Sequence, residues 1–144
     1  MRLQVHRLAA YGWALPTTAV GLAAGALTLV TGGAVRACAG TLEFHGGFAT
    51  WMLRSVARAR AMTLGHVILG RDPLELEICR AHELAHVRQV ERWGPLFLPA
   101  YLACSAWEWA HRAEGRHYYY DNYFERDARR ACGEDLADDS ASTS

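Results

Sequence analysis

The sequence contains no lysine: all fifteen of its basic side chains are arginine. It carries no net charge, because fifteen acidic residues balance them. A nucleic-acid binder carries a basic excess, so no nucleic-acid partner is expected. The balance is uneven along the chain. Glu134, Asp135, Asp138 and Asp139 fall at the C-terminal end, which leaves 15 − 4 = 11 acids against 15 arginines in the first 133 residues. Paired cysteines are also missing. Cys38, Cys79, Cys104 and Cys132 are far apart, with no CxxC, which argues against a cysteine zinc site or a disulfide framework and for free thiols in a reducing compartment. With 51% hydrophobic and 21% charged residues in a chain of 144, the composition is that of one folded domain, not of a disordered tail or a coiled coil.

Charge is absent from the 23 residues Trp13 to Val35. A helix needs about 20 mostly apolar residues to cross a bilayer. Arg2 and Arg7 precede this run, Arg36 follows it, and Tyr11 and Trp13 sit where interfacial aromatics would. Pro16 suits a first helical turn and Gly32-Gly33 an end. The expectation is an N-terminal membrane anchor within residues 1–34, hence a membrane location with lipid as a partner. Two alternatives stay open. One is a signal peptide cleaved near Ala37-Cys38-Ala39; the other is a helix buried in the protein, since Gly, Thr and Pro dilute the apolar run.

Beyond the anchor, residues 35–137 read as one metal-binding domain, followed by a disordered acidic tail at 138–144. Residues 35–39 and 41–45 alternate about Gly40 and predict a hairpin. Residues 48–60 set Phe48, Trp51, Met52 and Val56 against Arg54, Arg58 and Arg60, an amphipathic helix for a small sheet or a membrane surface. Residues 61–70 alternate as one strand, with Met62, Leu64, His66 and Ile68 on one face. Asp72-Pro73 then starts a helix that runs to about Trp93 and stops at Gly94-Pro95. Residues 96–112 form a further apolar helix, too short in its charge-free part to span and so buried or partly embedded. A polar-aromatic loop, Tyr118 to Asn122, leads to a last helix over roughly 122–137. The fold class expected is α+β: a membrane helix, a small antiparallel sheet, and a motif-bearing helix packed on a C-terminal helix.

That motif is His82-Glu83-Leu84-Ala85-His86, the pattern HExxH. On a helix, positions i and i+4 share a face one turn apart. Two imidazoles placed so can bind one zinc ion at about 2.0–2.1 Å. The glutamate after the first histidine stands beside the metal, where it can take a proton from water and pass it to a leaving amine. A third protein ligand is needed. The sixth residue after His86 is Arg92, so the three-histidine spacing of the metzincins is not met. Glu125 is the preferred third ligand, with His117 as fallback. Asn122 and Glu125 also have the spacing of a capping box, so cap and ligand compete for Glu125. Tyr120 and Tyr123 are candidates to hydrogen-bond a tetrahedral oxyanion, and Asp127 to support a ligand. His66 and Cys79 are read as structural, and Arg88 and Arg92 as a solvated face.

HELAH followed at a distance by Glu125-x-x-Ala128 resembles the gluzincin zinc metallopeptidases, above all small bacterial, membrane-associated ones. HELAHVRQ (82–89) also resembles short bacterial HExxH domains. The resemblance covers about residues 61–135. It implies His82 and His86 as histidine ligands, Glu83 as general base, Glu125 as third ligand, Zn2+ as cofactor and a peptide or protein as substrate. Arg129 stands where many gluzincins carry an aspartate that supports a histidine ligand, which leaves that task to Asp127 or a backbone carbonyl. The expected function is a zinc-dependent peptidase, with an extended substrate pairing along residues 61–70. The alternatives are a non-catalytic, zinc-stabilised membrane protein and a metal-free interaction module.

Overall fold

The computed structural model describes residues 9–111 and 122–133. His117, Tyr118, Tyr119, Tyr120, Asp121 and the acidic tail lie outside the described residues, so the fallback ligand, the Tyr120 oxyanion donor and the expected disorder of the tail do too. The chain divides into two compact units, Met1–Pro95 and Leu96–Ser144.

In the first unit, helix α1 (Leu15–Val30) has a proline in its first turn. Its buried residues are Thr17, Gly21, Gly25 and Thr28, a stripe of small side chains at helical spacing. A Cβ on Gly25 would stand 2.5 Å from the Phe44 ring, and one on Gly21 2.7 Å from the Leu64 carbonyl. The helix therefore lies close against the sheet through its small residues, and Leu15, Val20, Leu22, Leu27, Leu29 and Val30 are exposed. The anchor expected here is overturned: no helix among the described residues is long and apolar enough to cross a membrane. Sixteen residues make about 24 Å of helix against a hydrocarbon core of about 30 Å. One side of the helix is, moreover, already committed to protein.

Strands β1 (Ala34–Cys38) and β2 (Thr41–His45) form the expected hairpin. Its turn residues, Ala39 and Gly40, both take positive φ, the conformation that a two-residue hairpin loop demands. Helix α2 (Gly47–Met52) follows and passes into a π-helical turn, Leu53–Ala57, closed by Arg58 in the left-handed region. The helix expected over 48–60 is thus shorter and broken. The single strand expected over 61–70 is two: β3 (Ala61–Leu64) and β4 (Val67–Gly70). Gly65, at φ +66, reverses the chain between them.

The sheet order is β1-β2-β4-β3. The outer pairs are antiparallel, but β2 and β4 run parallel, so the sheet is mixed, not antiparallel as expected. The chain leaves β2 over one face through α2, lays down β3 at the far edge, and returns β4 into the gap in the direction of β2. All four residues of β4 are buried, as in a strand covered on both faces. On the α1 and α2 side, Val67 and Leu69 pack with Phe44, Ala49 and Leu53. On the other side, Ile68 packs with Leu76 and Val87 of helix α3 (Pro73–Trp93).

The α3 side carries one cross-sheet row. Arg36 pairs with Glu43, Glu43 with Ile68, and Ile68 with Thr63. Helix α3 sits on this row at three points. Arg80 Nε donates to Glu43 Oε1 at 2.8 Å, Leu76 and Val87 cover Ile68, and Glu83 meets Thr63. Residues 76, 80, 83 and 87 form one helical stripe, so the register of the motif against the sheet is fixed by the residues around it. Glu43 is fully buried. Burial alone pushes its carboxyl up, but hydrogen bonds from Arg80 and from Arg36, whose Nε is 2.6 Å away, hold it below the ordinary carboxylate range.

The second unit, from Leu96 onward, holds α4 (Phe97–Ala110) and α5 (Tyr123–Cys132). Asn122 is fully buried and joins them. Its Oδ1 accepts from the Phe124 N–H at 2.9 Å and caps α5, while its Nδ2 donates to the Tyr101 carbonyl and to Ser105 Oγ on α4. Phe97, Tyr101 and Phe124 fill the space between the two helices. Gly133, at φ +78, caps α5 after Cys132; residues 134–137 of the expected helix lie outside the described residues.

Two outcomes follow. Gly25→Ala forces a methyl into the Phe44 ring and should cost about 1–3 kcal/mol in urea denaturation. Glu43→Gln removes the central acceptor of the row and should cost on the order of 2–3 kcal/mol at neutral pH. Because the Glu43 carboxyl is lowered in the folded state, its contribution is present above its unfolded pKa and lost as pH falls through the folded value. The wild-type urea midpoint should therefore fall on acidification by more than that of Glu43→Gln; equal acid losses would contradict the ion cluster.

Candidate metal centre

Helix α3 runs over the residues that its end signals predict. The Asp72 side chain accepts from the Glu75 N–H at 2.9 Å, Pro73 takes the first helical position, and Gly94 at φ +57 ends the helix. These local signals place HExxH in mid-helix, away from fraying ends.

His82 is half-buried and His86 is buried. Their Nε2 atoms are 3.1 Å apart, with the rings at 78°. The Nδ1–H of His86 donates to Gln89 Oε1 at 2.8 Å, which fixes the tautomer and leaves a lone pair on Nε2. Two imidazole nitrogens on one tetrahedral zinc, each at about 2.05 Å, stand about 3.3 Å apart. The observed pair is close to that spacing before any ion is considered.

Glu83 is buried and lies on the sheet-facing stripe, next to the histidine stripe. Its Oε2 is 2.6 Å from Thr63 Oγ1. Glu125 lies in the first turn of α5, 2% exposed, and its Oε1 accepts from the Tyr101 hydroxyl at 2.6 Å. The cap of α5 is supplied by Asn122. His82 and His86 belong to the first unit and Glu125 to the second. Two imidazoles and a carboxylate make a donor set that suits zinc, so the residues fit the ion that the sequence suggests.

Tyr123 is exposed and packs edge-on against the Phe124 ring. Asp127 and Arg129 are half-buried on α5, and Cys79 is half-buried on α3. His66 is structural, as read: its ring stacks on Tyr11 at 4.0 Å, and Nε2 meets Glu91 Oε1 at 3.0 Å. Arg88 and Arg92 are exposed. Three polar partners went unread in the sequence: Gln89, Thr63 and Tyr101. Gln89 had a local signal, since its i+3 spacing from His86 puts both on one helix face. Thr63 and Tyr101 had none, because each reaches its glutamate across the fold.

Gln89 holds the His86 ring through its Nδ1. In nitrogen-detected NMR of the metal-free protein, His86 should appear as the Nδ1–H tautomer, and Gln89→Leu should move it towards Nε2–H. An unchanged tautomer would contradict the role given to Gln89. Searches among protein-family models, curated proteins and solved structures find no match to this chain.

Proposed function

We propose that the protein is a zinc-dependent peptidase of the gluzincin kind, in which His82, His86 and Glu125 hold the metal and Glu83 moves the proton. The observation that carries this reading is the pair of HExxH imidazoles in mid-helix with their Nε2 atoms 3.1 Å apart; Glu125 is proposed as the ligand that completes the set. It is supported by the tautomer that Gln89 imposes on His86.

A zinc ion held by these residues supplies a Lewis acid that acidifies water and polarises a substrate carbonyl. The chain supplies the rest. Glu83 accepts the proton released by the attacking water and delivers it to the departing amine nitrogen. Gln89 keeps the His86 ring in its ligating orientation, and Tyr101 keeps the Glu125 carboxylate in its own. Strand β3 is an edge of the sheet. An edge offers backbone N–H and C=O groups to an extended chain, which makes an extended peptide the substrate favoured here. β4, the other half of the strand expected over 61–70, is interior and takes no part.

The burial of His86 and Glu125 also suits a closed structural zinc that ties the chain together without turnover. The two readings differ in the number of protein ligands, four when closed and three with an open position when catalytic.

Metal analysis of protein purified without chelator tests the proposal. The wild type should hold a single zinc, and His86→Ala and Glu125→Ala should lose it. Glu83→Gln should keep zinc while cleavage of labelled casein falls by about 10²–10⁴-fold. Zinc bound to Glu125→Ala as tightly as to wild type would remove Glu125 from the ligand set. Wild type without zinc would end the reading.

A further inference from the structure

Glu83 has to present its carboxylate in one orientation to serve as proton carrier, yet a glutamate on a helix has three rotatable bonds. Fixing such a side chain costs up to about 2 kcal/mol. Thr63, on β3, makes the contact that holds it. Its Oγ1 is 2.6 Å from Glu83 Oε2 and 3.1 Å from the Glu83 carbonyl oxygen. A hydroxyl has one proton to give. The shorter, charge-assisted contact to the carboxylate takes the larger share of it, and the carbonyl takes the rest. The β-branched side chain of Thr63 is itself stiff about χ1.

The place of Thr63 is also fixed. It stands directly opposite Ile68 in the sheet, and Ile68 is held under α3 by Leu76 and Val87. Strand alternation turns Met62 and Leu64 to the other face, where they pack on the core with Phe44 and Leu53. A slip of one residue would exchange Thr63 for an apolar side chain. The hydroxyl thus reaches Glu83 because the core sets the register of β3.

We propose that Thr63 is a positioning residue for Glu83: its hydroxyl holds the glutamate carboxylate in the orientation that proton transfer beside the His82–His86 pair requires. This rests on the peptidase reading above. Thr63 acts through Glu83, which it meets at both the carboxylate and the carbonyl. Displacing a catalytic group by about 1 Å can cost about 10²-fold in rate, so the function of this hydrogen bond is geometric.

The test uses the full chain loaded with Co2+ in place of zinc, with acetohydroxamate as probe. A hydroxamate chelates the metal and gives its proton to the base beside it, so the change in visible absorption reports the placement of Glu83 without any substrate. Thr63→Val keeps the shape and removes the hydroxyl; Thr63→Ser keeps the hydroxyl. Thr63→Val should retain stoichiometric cobalt and bind acetohydroxamate about 10-fold more weakly, while Thr63→Ser stays within about twofold of wild type. In a Glu83→Gln background, Thr63→Val should cause no further loss, because the two act as one unit. The proposal is overturned if Thr63→Val binds the probe like wild type, if Thr63→Ser is as weak as Thr63→Val, or if the loss persists in the Glu83→Gln background. Should Thr63→Val not fold, Thr63→Ala makes the same comparisons with the same outcomes. A wild type that takes up no cobalt overturns the metal reading itself, a result distinct from all of these.

Discussion

Glu43 stays ionised in the core because two guanidinium groups reach it, one from the neighbouring strand and one from the helix above. Removing a carboxylate from water costs several kcal/mol unless it is paired and hydrogen-bonded. Arg36 and Arg80 meet that condition only when β1, β2 and α3 are all in place. The row that begins at Glu43 continues through Ile68 to Thr63, and α3 is pinned along it by an ion pair, an apolar contact and a hydrogen bond. The apolar contact at Ile68 contributes about 1.5–3 kcal/mol by burial. The polar contacts add direction, which burial alone does not supply. A helix pinned at residues 76, 80, 83 and 87 cannot rotate about its axis without losing all of them.

That constraint decides where the motif residues point. Glu83 falls on the stripe that meets the sheet, and His82, His86 and Gln89 fall on the adjoining stripe. The base is therefore anchored from below by the sheet, while the two imidazoles are turned to the side with their Nε2 atoms together. Glu125 is prepared separately in its own unit, where Asn122 fixes the start of α5 and Tyr101 fixes the carboxylate. His86 and Glu125 each have a neighbour that limits their freedom, Gln89 and Tyr101, as the proposed metal binding would need.

Much of this was legible wherever the signal was local. Asp72, Pro73 and Gly94 bound α3 because caps and breakers act within a few residues, and Gly40 marks its hairpin for the same reason, although Ala39, read as strand, also belongs to the turn. The division of 61–70 into two strands was hidden. Apolar alternation runs unbroken through the turn, and only Gly65, which can equally sit inside a strand, marks the reversal. Residues 13–35 misled in another way. Their lack of charge matches the hydropathy of a bilayer span, but Thr17, Gly21, Gly25 and Thr28 turn inward to let the helix approach the sheet, which leaves the leucines outside. Hydropathy gives the sum and not the direction. Within the candidate site, HExxH named itself by spacing, and Glu125 emerged because two histidines need a partner. Thr63 and Tyr101 could be found only once strands and helices had been brought together.

The proposed function requires two imidazoles of α3 and the carboxylate of Glu125 to share one divalent ion. X-ray absorption at the zinc edge of the loaded, full-length protein tests it most directly. The account predicts a first shell of nitrogen and oxygen at about 2.0–2.1 Å with the outer-shell scattering of two imidazoles. A sulfur shell at about 2.3 Å, which would bring in a cysteine such as Cys79, or the scattering of a single imidazole, would contradict it.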